Sequence, residues 1–134
     1  MQDRPTVHEL LEAVERFLTD ELVPQLEGRG KFLARVSANV VRIVDREIAL
    51  EQTQCDREWR GLDALLGAEP MPQGREAVRE EVARRTETLS EKIRAGEADA
   101  GDFRAMVLAH LRATVREKLA VSDPELPGRD PHST

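Results

Sequence analysis

Three charged side chains fall where a helical reading places apolar neighbours: Glu21, Glu47 and Lys118. At about 100° per residue, Glu47 lies about 20° from the centre of the apolar arc carried by residues 31–51, and Lys118 about 20° from the centre of a later one. Glu21 sits close to the middle of a stripe made by Val7, Leu10, Leu11, Val14, Phe17 and Leu18. An unpaired charge in a core costs several kcal/mol, so such groups should meet partners or open onto a polar cavity. Two readings follow. In the first, Glu21, Glu47 and Lys118 are structural buried charges, with Lys118 or Arg35 pairing one of the carboxylates. In the second, Arg35, Asn39, Glu47 and Lys118 line a polar pocket between helices that takes a small anionic or amide-bearing ligand.

Other reactive residue types assemble into no recognisable centre. A di-iron bundle needs Glu-x-x-His pairs, and none of His8, His110 and His132 has a Glu three residues before it. His8-Glu9-Leu10-Leu11-Glu12 lacks the second histidine of a zinc-protease helix, so no metal is expected. Cys55 stands beside Asp56 and Glu58, an acidic setting that disfavours its thiolate. His110 lies about 60° from the centre of its helix face, which suits a rim histidine better than a general base. No Gly-rich loop follows a strand, which excludes a nucleotide fold of the usual kinds, and with no nucleophile and base assembled neither catalytic residues nor a cofactor are expected.

The elements that would position these groups are all helical. Thr6 and Glu9 have capping-box spacing, and the stripe that follows predicts a helix over 6–23, ended or kinked at Pro24. Phe32, Leu33, Val36, Val40, Ile43, Val44, Ile48 and Leu50 recur at three- and four-residue steps, predicting a second helix over 31–51 antiparallel to the first. The polar run Glu51-Gln52-Thr53-Gln54 weakens the pattern before a shorter helix over 55–66, which carries Trp59, Leu62, Leu65 and Leu66 and is capped by Gly67. Pro70-Met71-Pro72-Gln73-Gly74 reads as a loop. A fourth helix over 75–95 has a thin stripe of Val78, Val82, Leu89 and Ile93, with Glu80–Arg84 and Glu81–Arg85 spaced as i,i+4 pairs on its solvated faces. Gly96 ends it. A fifth helix over 102–121, with Asp99 or Asp102 as its cap, stops before Asp123-Pro124.

Composition agrees. With 134 residues, 40% hydrophobic, 3% aromatic and no Tyr, aliphatic side chains must build the core. The expectation is an all-α, compact bundle of four to five helices, one domain over 1–121, with 122–134 as a C-terminal tail. No sustained a/d heptads extend over the long helices, so a coiled-coil rod is not expected. A net charge of -6 argues against nucleic acid and anionic membranes as partners. One cysteine and no apolar run of about 20 residues point to a cytoplasmic protein.

Four separated pieces carry a resemblance. They are Asp3-Arg4-Pro5-Thr6 with Glu9-Leu10-Leu11-Glu12-Ala13-Val14; Phe32-Leu33-Ala34-Arg35-Val36-Ser37-Ala38-Asn39; Ile43-Val44-Asp45-Arg46-Glu47; and His110 through Val121. Together they resemble a small all-helical bacterial family of unknown function, whose members are typically encoded beside aminoglycoside-phosphotransferase-like kinases and acyl-CoA dehydrogenases. The resemblance implies no catalytic residues. Ser122-Asp123-Pro124-Glu125-Leu126 departs from the Asn-Pro-aromatic continuation of such proteins. What it implies is a kinase-like or acyl-CoA-dehydrogenase-type partner. The thin apolar stripes of the helices over 55–66 and 75–95 leave room for a second copy or another protein. The expectation is an accessory or interaction module, self-associating as a homo-oligomer or docking on such an enzyme. The polar pocket around Glu47 and Lys118 is the alternative. Trp59 and the Pro70–Gly74 loop are candidate partner contacts, although a lone Trp on a short amphipathic helix is more often core.

Overall fold

The computed structural model describes residues 4–125, and among them every regular element is helical. The capping box at the chain start is formed: the Thr6 hydroxyl accepts from the Glu9 amide, and the Glu9 carboxylate accepts from the Thr6 amide at 2.7 Å. It opens α1 (Val7–Arg16), which widens into a π-helical turn over Phe17–Leu22 and tightens into a 3-10 turn over Val23–Gln25 around Pro24. Then come α2 (Gly28–Leu66), α3 (Arg75–Arg94) and α4 (Gly101–Ser122).

The helices expected over 31–51 and 55–66 are one. Residues 51–54 continue α2 because their polar side chains find partners along and beside the helix. Gln52 donates to Asp56, Gln54 donates to the Glu117 carbonyl at 2.8 Å, and Glu51 pairs with Arg79. A polar run breaks a hydrophobic pattern without breaking a backbone. The expected stops are where the sequence places them: Gly67 (φ 97°) and Gly96 (φ 84°) supply left-handed backbone after α2 and α3. Neither Asp99 nor Asp102 caps α4, whose N-cap is Ala100 without a side-chain bond. The expected tail lies outside the described residues from position 126 onward.

Two compact units divide the chain, Met1–Ala49 and Leu50–Thr134, with α2 contributing helix to each. The second unit encloses a core of Trp59, Leu62, Val78, Val82, Leu89 and Val107, flanked by Cys55, Leu65, Leu66 and Phe103. Trp59 is therefore core and not an exposed anchor. In the first unit the only described residues that reach full burial are Ala34 and Ala38. The two units bury very different amounts of what they carry.

Candidate functional site

The first unit is a helical hairpin held by small and polar groups. Ala34 and Ala38 are buried on α2, and His8 on α1 pairs with Asp45. Arg42 donates to Glu15 at 2.6 Å through Nη2 and 2.8 Å through Nε, while Thr19 donates to the same carboxylate oxygen at 3.0 Å. The Arg42 hydrogen bond holds the Glu15 carboxyl below its usual range, against the opposing effect of burial. These contacts lie on the Ala34–Ala38–Val41–Asp45 side of α2, so the large apolar arc of the same helix points elsewhere.

That arc is exposed. Phe32, Leu33, Val36, Val40, Val44 and Ile48 on α2, with Val7, Leu10, Val14 and Phe17 alongside, stand 39–65% exposed. In an antiparallel hairpin with the contacts above, right-handed helical geometry puts Val7, Leu10 and Val14 on the same side as Val40 and Val44. The result is one apolar face two helices wide.

This geometry corrects the expectation of buried charges. Glu21, Glu47 and Lys118 are all exposed, as are Arg35 and Asn39. Glu47 does sit on the apolar arc, but the arc is the outward side of α2. Glu21 belongs to the π-helical turn, where each residue turns less than the 100° the stripe assumed, so it drifts out of phase. Lys118 is exposed near the C-terminal end of α4, three turns past Val107, the described residue at which that helix is buried. Arg35, Asn39 and Glu47 belong to the first unit and Lys118 to the second; around α2, Arg35 and Glu47 are about 120° apart.

Two small cavities are lined by other residues. One of about 90 Å³ in the hairpin lies among Leu11, Glu12, Glu15, Val41, Arg42 and Asp45. The other, about 10 Å³, lies among Glu51, Gln52, Cys55, Arg75 and Val78. Ligand pockets run to roughly 300–1,000 Å³, so neither accommodates a metabolite of ordinary size. Burial pushes the Cys55 thiol above its usual range, and Glu58 and Asp56 add to the effect. Among the described residues no group of three His, Cys, Asp or Glu is placed to hold a metal ion. No described helix is long and apolar enough to cross a membrane.

The most buried charge was invisible to the helical pattern. Arg85 is 1% exposed, with its guanidinium 4.6 Å above the Trp59 ring. It donates to Asp63 Oδ1 at 2.7 Å and to the Gly67 carbonyl at 2.6 Å. Arg85 therefore does not form the expected surface pair with Glu81. Arg84 takes Glu81 instead, at 2.7 Å, and reaches Glu69 at 3.0 Å. Hydrogen bonding from Arg85 lowers the Asp63 pKa against burial, with the Glu69 amide adding a smaller effect. With Trp59 on one side and the α2 C-terminus on the other, this cluster is a clasp between α2 and α3.

His110 is half-buried against α2 at Gly61. Desolvation lowers its pKa below 6.5, while Glu58 and Glu117 pull the other way. A histidine held neutral in the fold binds fewer protons than the unfolded chain as pH falls below 6.5. Its contribution is intact above that value and is lost as pH drops through 6.5 toward the folded value. The melting temperature should accordingly fall more between pH 7.5 and pH 5.5 for the native chain than for His110→Gln; equal falls would contradict this assignment.

A family model described as a domain of unknown function, DUF6285, matches residues 24–126, and the chain belongs to that family. No curated protein and no solved structure matches the chain.

Proposed function

We propose that this protein is an interaction module whose working surface is the apolar face of the N-terminal hairpin. One observation supports the reading above others. Ten large apolar side chains among the described residues of that unit stand 39–65% exposed, while of those residues only Ala34 and Ala38 are buried. Exposed large apolar side chains grouped in this way on one small unit are what marks an interaction surface, unlike the singly scattered ones of an ordinary monomer. The chemistry required of an occupant is a second apolar helical surface. Among heterologous proteins, the kinase-like and acyl-CoA-dehydrogenase-type neighbours implied by the sequence resemblance are the first to seek.

The test is recovery of partners from the native cell with tagged protein, run in parallel with Val40→Glu, which puts a carboxylate in the middle of the face. The module reading expects a stoichiometric protein, either a second copy or another chain, with the native sequence and its loss with the variant. Recovery of the same proteins by both, or of none by either, would remove the reading.

A further inference from the structure

Along the outward side of α2, six residues follow a four-three-four-three-four spacing: Arg29, Leu33, Val36, Val40, Ile43 and Glu47. These are alternating a and d positions of a heptad, carried over about five helical turns. By helical geometry they form one seam about 150° around from the buried Ala34–Ala38 side of α2. Leu33, Val36 and Val40 are 43–51% exposed, and Arg29 and Glu47 are exposed at the two ends.

The seam is a palindrome. Turned end for end about its middle, level with residue 38, it sets Val36 opposite Val40, Leu33 opposite Ile43, and Arg29 opposite Glu47. Every such pair joins an a position to a d position, which is the layer pattern of antiparallel helices packed knobs-into-holes. It also puts a base opposite an acid at both ends. A heterologous partner would need neither the matched spacing nor opposite charges placed about five turns apart on the same line of the helix. A two-fold interface needs both, because one patch must complement itself.

We infer that the occupant of this face is a second copy of the chain, docked antiparallel along α2 with the two-fold axis level with Ala38. The inference rests on the interaction-module reading and names its partner. The seam spans under three heptads, too short for a rod and long enough for a local helix pair. Val44 and Phe32 flank it on either side.

The purified full chain, followed by light scattering on size exclusion through a dilution series, decides the matter. The native chain is expected at twice the single-chain mass, dissociating on dilution. Val40→Glu is expected to run at the single-chain mass with unchanged helical circular dichroism. Glu47→Arg alone turns two attractive end pairs into two repulsive ones and should raise Kd roughly tenfold or more. Arg29→Glu combined with Glu47→Arg restores opposite charges and should return Kd to near the native value.

A native chain that stays monomeric overturns the inference, as does a dimer indifferent to Val40→Glu or a double reversal that fails to restore Kd. The module reading is judged separately. A monomeric native chain that still loses a heterologous partner with Val40→Glu leaves the module standing and removes the second copy.

Discussion

Arg85→Ala is expected to cost about 3–5 kcal/mol, because it empties a buried site and breaks a paired charge at once. Three interactions go together: the stacking on Trp59, the bond to Asp63 and the bond to the Gly67 carbonyl at the α2 C-terminus. Arg85→Met should be milder, since it keeps most of the volume over Trp59 and leaves Asp63, a quarter exposed, to be solvated. Arg85→Lys keeps the charge and loses the planar fork that serves Asp63 and Gly67 together, so it should fall closer to alanine than to methionine. Urea unfolding followed by the fluorescence of the single tryptophan reads the right unit, because Trp59 lies in the C-terminal core. A loss under about 1 kcal/mol for Arg85→Ala would mean the clasp carries little of that core's stability. Asp63 adds a pH signature. Its pKa is depressed, so the stability it contributes is present above the ordinary carboxylate range and is lost as pH falls through its folded value.

Much of the architecture is written in local signals. Thr6 with Glu9, Pro24, Gly67, Gly96 and the proline-rich loop each act within a turn of themselves, and each marks a boundary the fold respects. What stayed hidden depends on which side of a helix finds a neighbour. On α2 the broad apolar arc was the obvious core face, yet the hairpin packs on the opposite, smaller line of Ala34, Ala38 and Val41. Small residues permit close backbone approach, and the flanking His8–Asp45 and Glu15–Arg42 pairs fix it. Glu47 consequently needs no buried partner. Arg85 failed in the other direction. It sits on a charge-rich helix beside Glu81, and nothing within a turn says that Asp63 and Gly67 will be waiting. The i,i+4 rule describes an isolated helix, and tertiary partners outbid it here.

The close approach of α2 and α4 sets the last expectation. A Cβ on Gly61 would stand 2.8 Å from His110 Cε1 and closer still to Nδ1, so the glycine is the space in which the imidazole packs. In an open helix, Gly→Ala stabilises by roughly 0.5–1 kcal/mol through backbone entropy. Here that gain meets an overpacking cost of about 1–3 kcal/mol, and Gly61→Ala should come out destabilising. The sign is the informative quantity, because propensity and packing predict opposite ones. His110→Ala alone should also destabilise, by removing a half-buried ring. In the double variant the new methyl enters the space the ring has left and the helix keeps its alanine, so the two losses should not add. A double-mutant cycle on unfolding free energies isolates that coupling, and its size measures how tightly the helices are held at this crossing. Additive losses would place the ring clear of Gly61 in solution. Strong coupling would make Gly61 the residue that lets α4 approach α2 closely enough to hold His110 neutral.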